Sequence, residues 1–587
     1  DRQLTEYRGT DRLPMWIGDS IYFASDREGP MNIYRYRLSD GGIERITDHS
    51  NFDIRRPSHG GDRIVYEVGG QLWLLDTSTG ADTRIPVTIS IEPRETRPYL
   101  RDVSDSITEV SISPKGGRAL VVARGEIFTV PREHGPIRNL SRMPGSRERG
   151  AVWSPDGTRI AFVSDRTGEY QIYVGDVDGT APPRRITNRD RGYPHTLRGS
   201  PDSSRIAFTD ETLTLYVVNA AGGDVVTIDR AEVEPMDIAL EAKPISDHAW
   251  SPDGRWLAYS KIGADQVSNI YLHSLATGAS HNVSSGLFND FGPVFSADGR
   301  YLLFISNRRF NPTYGDFEWE MVYKNMAGIY ALTLQAGDPP LLPPRSDEAA
   351  PHGEDATDAS TEVSVSVDLE GITHRIESLP VDRGNYRQLA AGDDSIYYLN
   401  ADSGDFNRFE FRSRPPMDLV RFDLDERDEK TLVEAIDTYA VSGDGKHLVY
   451  RQGDDIGIWD TEPGHQPAPE MTDPESHGYG PKAYVLDLSD FEMVVDPVAE
   501  WKQVYWEAWR LERDYFYDAN LHGLDWRALG EKYGALLDDV SCAQDLRFLI
   551  GELIGELATS HTYVRTGDRR RRAERVDVGM LGADWVA

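Results

Sequence analysis

Trp153-Ser154-Pro155-Asp156-Gly157, followed by the run Arg159 to Ser164, and Trp250-Ser251-Pro252-Asp253-Gly254, followed by Arg255 to Ser260, are two copies of one unit. Proline at the second position of a four-residue turn presets the torsion the turn needs. Glycine at the fourth releases the chain into a run whose β-branched and aromatic residues read as a strand. Variants open at Ile112-Ser113-Pro114, Gly199-Ser200-Pro201, Phe295-Ser296-Ala297-Asp298-Gly299 and Val441-Ser442-Gly443-Asp444-Gly445. Pro114, Pro155, Pro201 and Pro252 are spaced 41, 46 and 51 residues apart, close to the length of a four-stranded propeller blade.

Further strands follow within the units, as at Gln171-Ile172-Tyr173-Val174, Leu215-Tyr216-Val217-Val218 and Ile456-Gly457-Ile458-Trp459. With the unit around Ser395-Ile396-Tyr397-Tyr398, about seven blades lie between Arg94 and Asp487, enough to close one propeller. Pro339 to Thr361, rich in Pro, Asp, Glu, Ala and Ser, lacks the apolar residues to order itself and is expected to be a mobile insertion between the fifth and sixth blades. Upstream, Pro14 to Thr47 and Pro57 to Ile85 read as two more blades. Two blades cannot close a ring, so the front of a first propeller is expected to precede residue 1.

Composition narrows the function classes. The 587 residues carry 97 Asp and Glu against 63 Lys and Arg, a net charge of -34, which argues against a nucleic acid or an anionic membrane as partner. The basic run Arg569 to Arg572 reads, against that background, as a solvated linker. One cysteine, Cys542, excludes an internal disulfide and argues against a cysteine metal site; its neighbours suggest packing on an apolar helix. No apolar run of membrane-spanning length is present. Gly-x-Ser-x-Gly, His-Glu-x-x-His and Gly-x-x-x-x-Gly-Lys are all missing, so neither a metal nor an organic cofactor is expected.

After Asp487 the texture becomes helical. Trp501, Val504, Tyr505, Ala508 and Trp509 recur at helical spacing, and Asn520, Gly523 and Asp525 mark a helix end and the next cap. Ser541 and Gln544 form a capping-box pattern opening a helix with Leu546, Leu549, Ile550, Leu553, Ile554 and Leu557 on its apolar face. That helix runs into Thr559-Ser560-His561-Thr562-Tyr563-Val564, read as a turn entering a short alternating strand. A histidine so placed can serve as a base, although most Ser-His pairs are solvated loop residues.

Glu500-Trp501, Trp509-Arg510-Leu511, Arg513-Asp514-Tyr515-Phe516-Tyr517, Gly523-Leu524-Asp525-Trp526 and Gly555-Glu556-Leu557 with Ser560-His561-Thr562-Tyr563 resemble the helical catalytic subdomain of tricorn-type serine peptidases. Asp11-Arg12-Leu13-Pro14-Met15-Trp16, Phe52-Asp53-Ile54-Arg55 and Asp368-Leu369-Glu370-Gly371-Ile372 extend the resemblance into the propellers. It implies a mainly β chain: the last blades of a six-bladed β-propeller (1–92), a complete seven-bladed β-propeller (93–488), an α-helical catalytic subdomain (489–570) and the start of a PDZ-like domain (571–587). It further implies a cytoplasmic homohexamer degrading short peptides such as proteasome products. His561 would be the general base and Ser560 a member of the charge relay. The nucleophilic serine and relay carboxylate would lie in a domain beyond residue 587, with the substrate anchor in blades before residue 1. The rival reading is a non-catalytic propeller scaffold of TolB or WD type, with the helices as a docking arm.

Overall fold

Each Ser-Pro-Asp-Gly segment closes a hairpin through the same bonds. Gly157 N donates to Ser154 O at 2.8 Å, Ser154 Oγ donates to Asp156 Oδ1 at 2.6 Å, and Arg159 N donates to Ser154 Oγ at 2.9 Å. The serine hydroxyl thus satisfies the first amide of the departing strand, which the turn would otherwise leave unpaired. Ser200, Ser251, Ser296 and Ser442 repeat the arrangement. The computed structural model describes residues 3–89, 94–232, 245, 247–284, 286–310, 312–314, 321–322, 325–345, 363–401, 416–461 and 485–565.

Contacts divide the chain into two units, Pro98–Gln503 and a second made of Asp1–Arg97 with Val504–Ala587. In the first, seven antiparallel sheets follow one another at 107–139, 148–185, 195–230, 248–282, 290–378, 386–436 and 438–460. The first six have four strands in sequential order, and the seventh has three among the described residues. A single bridge from Val485 to Gly457, with Leu486 N donating to Ile456 O at 2.7 Å, occupies the outer edge of the seventh. Neighbouring sheets touch along the whole series, and the seventh touches the first. This unit therefore forms a closed seven-bladed propeller.

Closure is made by residues far apart in sequence. Ile107, Val121 and Phe128 of the first blade share a core with Val449, Ile456 and Ile458 of the last. Both terminal nitrogens of the Arg132 guanidinium donate to Asp460, at 2.8 and 2.9 Å, and Asp444 N donates to Pro114 O at 3.0 Å. Gly116 has φ +71°, and a Cβ there would stand 2.1 Å from His447 Cδ2, so this seam admits only glycine without rearrangement. Glu492–Val495 pairs antiparallel with Tyr99–Asp102, joining the segments that enter and leave the ring.

The segment Pro339 to Thr361 is placed differently from the expectation. It falls inside the fifth blade, between the strands Gly328–Thr333 and Ile376–Ser378, and not between the fifth and sixth blades. The outermost strand is only three residues long and sits at the sheet edge, so a long connection can precede it without disturbing the core. Residues 339–345 are pinned: Tyr301 Oη donates to Pro339 O at 2.9 Å, Arg427 donates to Pro343 O, and Leu341 and Leu342 pack on the core between the fifth and sixth blades. The rest of the expected insertion, 346–361, lies outside the described residues, as do Arg569 to Arg572 and the segment 571–587.

Three sheets share a staple of largely buried ionic groups. Arg27, Arg166 and Arg308 each donate through Nε to a serine two residues earlier, Ser25, Ser164 and Ser306, at 3.0, 3.0 and 2.7 Å. Their guanidinium groups meet the carboxylates of Asp11, Glu148 and Asp290 and lie over the rings of Tyr34, Tyr173 and Tyr330. Each staple ties the strand ends of its sheet together.

Glu126 lies near the second of these groups, 2% exposed and hydrogen-bonded by Asn139. Burial pushes its carboxyl up to about 6, with the charges of Glu148 and Glu500 adding to the rise and the Asn139 bond opposing it. A carboxyl raised in the folded state contributes stability that is complete below its ordinary value near 4.5 and lost as pH climbs through about 6. Glu126→Gln is therefore expected to stabilise the ring by about 2 kcal/mol at pH 7.5 and to make no difference below pH ~4.5. Urea midpoints of the two proteins at both pH values test this, and equal midpoints at pH 7.5 would rule it out.

In the second unit, Asp11–Ile17, Ser20–Ser25, Asn32–Arg37 and Ile43–Arg45 form one four-stranded sheet. Arg55–Gly60, Arg63–Val68, Gln71–Asp76 and Ala81–Arg84 form another. Met15, Ile17, Tyr22 and Ile33 of one share a core with Ile64, Tyr66 and Leu75 of the other. The described residues of this unit after Val504 include the helices that carry the candidate site.

Candidate functional site

Three helices build the site: α1 (Pro497–Tyr515), α2 (Trp526–Gly534) and α3 (Ala543–Gly555). Trp509 Nε1 donates to Trp526 O at 2.8 Å and Trp526 Nε1 returns a bond to Trp509 O at 2.9 Å, so each indole fixes the other's backbone. Tyr505, fully buried, donates to Gly530 O at 2.8 Å. A Cβ at Gly530 would lie 2.5 Å from Trp509 Nε1, which explains glycine at that crossing. Asp525 caps α2 by accepting from Ala528 N at 3.0 Å, the role its position suggested.

The opening of α3 corrects the expected capping box. Its N-cap is Cys542, half-buried and outside the helix, rather than Ser541. Asp545, third in the helix, accepts from Ser541 N at 3.1 Å and Ser541 Oγ at 2.9 Å. Burial would raise the Asp545 carboxyl, but these bonds and those from Cys542 outweigh it and hold it below the usual carboxylate range. A carboxylate at the third position out-competes the Gln544 amide because the exposed N–H groups of a helix start favour negative charge.

Leu546, Leu549, Ile550 and Leu553 bury the inner face of α3, as does Leu557 just past its end. Glu556 accepts from Tyr533 Oη at 2.7 Å and Lys532 Nζ at 3.0 Å, anchoring that end to α2. The chain then turns sharply, with φ +51° at Ala558 and +64° at His561. Ser560 and His561 are exposed on this turn, and among the described residues neither side chain has a hydrogen-bond partner. The expected strand after His561 is not formed over residues 562–565. Thr562 Oγ1 instead bonds back to Thr559 O at 3.5 Å, and the Arg565 guanidinium covers the Tyr563 ring at 5.7 Å.

An accessible imidazole with neither ring nitrogen engaged can take a proton from a hydroxyl brought to it. Among the described residues, no group of three or more His, Cys, Asp or Glu is arranged to hold a metal, and no helix is long and apolar enough to cross a membrane. Sequence reading missed the two ties that shape the site, the Trp509–Trp526 exchange and a bond from His522 Nδ1 to Leu557 O at 2.9 Å. The run His522-Gly523-Leu524-Asp525-Trp526 carries one partner of each.

Family models described as the tricorn protease N-terminal beta propeller domain, second beta propeller domain and C1 domain match residues 1–81, 107–462 and 497–555. The chain belongs to the tricorn protease family. Tricorn protease homolog 1 of Streptomyces coelicolor is 28% identical over 98% of this chain and 53% of its own length. The putative Tricorn-like protease C-terminal subunit of Sulfurisphaera tokodaii is 26% identical over 97% of this chain and 62% of its own length. A crystal structure of the tricorn protease shares the fold, with TM-score 0.75 at 19% identity over 96% of this chain and 51% of that one. The chain thus spans about half the length of most of the curated tricorn relatives it matches. The C1 match ends at residue 555, before Ser560 and His561.

Proposed function

We propose that residues 1–587 are the propeller and helical portion of a tricorn-type serine endopeptidase that degrades short peptides of the kind a proteasome releases. His561 is the general base: it takes the proton of the attacking serine hydroxyl and delivers it to the leaving amine. Ser560 belongs to the relay that orients the imidazole. The nucleophile and the relay carboxylate come from residues outside 1–587, as does most of a PDZ-like domain. The division at 92, 488 and 570, cytoplasmic location and assembly as a homohexamer belong to the same proposal.

The observation that carries this reading is His561 itself, exposed and unengaged among the described residues on a strained turn fixed to the end of α3. Membership of the tricorn family supports peptide hydrolysis as the chemistry. The match of the helices to a C1 domain weighs against a docking arm on a propeller scaffold.

Acyl transfer needs a nucleophile, a base and an oxyanion site together, and losing one member of such a unit costs nearly as much as losing all. Residues 1–587 alone are therefore expected neither to hydrolyse fluorogenic peptides nor to take a fluorophosphonate label. The full-length protein should do both, with the label on a serine outside this span. Labelling of a serine within 1–587 that disappears in His561→Ala would overturn the assignment of the nucleophile.

A further inference from the structure

Between α1 and α2 the chain makes a turn with three consecutive left-handed residues, Leu521 (φ +48°), His522 (φ +56°) and Gly523 (φ +81°). Non-glycine residues in this region cost about 1 kcal/mol or more each and persist only where surrounding bonds hold them. Asp518 supplies such bonds, accepting from Asn520 N at 3.0 Å and His522 N at 2.9 Å. Among the described residues of α1 to α3 and their connections, the non-glycine residues with positive φ are Leu521, His522, Ala558 and His561. The two strained turns are tied to each other by the His522 to Leu557 bond.

That bond fixes the state of the ring. A carbonyl oxygen only accepts, so Nδ1 of His522 carries a proton and donates to Leu557 O. Nε2 then faces the Tyr517 hydroxyl, which donates to it. The ring of Phe516 stands edge-on at 5.2 Å and limits its rotation. Leu557 is the last buried residue before the Ser560-His561 turn, so its carbonyl is the nearest fixed point from which that turn departs.

We propose that His522 is a positioning residue for the general base: through Leu557 it sets where the Ser560-His561 turn leaves α3, and Tyr517 holds its tautomer. The role rests on the reading of His561 as the base. His522 acts on the turn and not on substrate, so its loss lowers turnover rather than substrate affinity.

In the full-length protein, His522→Ala is expected to lower kcat about 10-fold with KM changed less than about 2-fold, because small displacements of a base are costly. His522→Asn should restore kcat to within about 3-fold of the parent, since an asparagine amide N–H replaces Nδ1–H and asparagine tolerates left-handed backbone. An Asn variant no better than Ala, or an Ala variant with unchanged kcat, overturns the proposal. Hydrogen exchange on residues 1–587 separates it from the peptidase reading. Exchange at the Leu557 and Ala558 amides should accelerate in His522→Ala and not in His522→Asn, and unchanged exchange in the Ala variant also overturns it. A full-length protein without peptidase activity, or one indifferent to His561→Ala, refutes the catalytic reading and leaves positioning to the exchange result.

Discussion

Replacing His561 in the full-length protein is expected to lower kcat by about 10²- to 10⁴-fold, the range for losing a general base. The side chain is exposed and packs on no core, so the fold should survive. Its backbone sits at φ +64°, where alanine is disfavoured, so His561→Asn serves beside His561→Ala: it keeps the conformation and removes the base. Both variants should lose turnover alike. Ser560→Ala should cost less, because an orienting hydroxyl moves no proton to or from substrate. Peptidase assays with matched circular dichroism spectra decide the matter, and near-normal turnover in both His561 variants would return the pair to an ordinary solvated loop.

Arg308→Ala is expected to destabilise the closed ring by about 3 to 5 kcal/mol, the range for removing one partner of a buried ion pair. The Asp290 carboxylate has no exposed side-chain surface, and Nη2 of Arg308 reaches both its oxygens at 3.0 Å. Without the guanidinium, the buried Asp290 carboxylate is left without its charge partner, which is unfavourable. The exposed pair Arg527 to Glu531, 3.1 Å apart, is the control, since exposed pairs contribute little. Urea unfolding followed by tryptophan fluorescence should separate the two substitutions clearly. Similar midpoints for Arg308→Ala and Arg527→Ala would show that the staple holds nothing.

What could be read from the chain was mostly local. The Ser-Pro-Asp-Gly turns declare themselves because all their chemistry lies within six residues, from Ser154 to Arg159. The blade count followed from their spacing. The staple was also written in the sequence, as Ser25-x-Arg27, Ser164-x-Arg166 and Ser306-x-Arg308, but its meaning depends on carboxylates from other strands. The seam of the ring was illegible, because Arg132 finds Asp460 across more than three hundred residues. The outer strand of the fifth blade, Ile376–Ser378, is too short to show periodicity, so the sequence alone puts its connection between blades and not within one. At the candidate site the Ser560-His561 pair stood out by resemblance. The cap of α3 lies one residue from where the sequence pattern puts it, because Asp545 and Gln544 both fit a capping pattern and only charge chooses between them.

The pairing of Tyr99–Asp102 with Glu492–Val495 bears on the order in which the chain folds. One contact unit is discontinuous, with residues 1–97 separated from 504–587 by about 400 residues. Bringing its halves together through an unstructured segment would carry the closure entropy of that whole length, and each halving of a loop recovers about 0.6 kcal/mol. Once the ring has folded, its two ends lie side by side, and the effective loop shrinks to about a dozen residues, a gain of about 3 kcal/mol over five halvings. Folding of the propeller thus shortens the connection between the two halves of the unit that carries His561. A lesion at the seam, such as Arg132→Ala, should delay the docking of the helices onto the first two sheets although Arg132 belongs to the other unit.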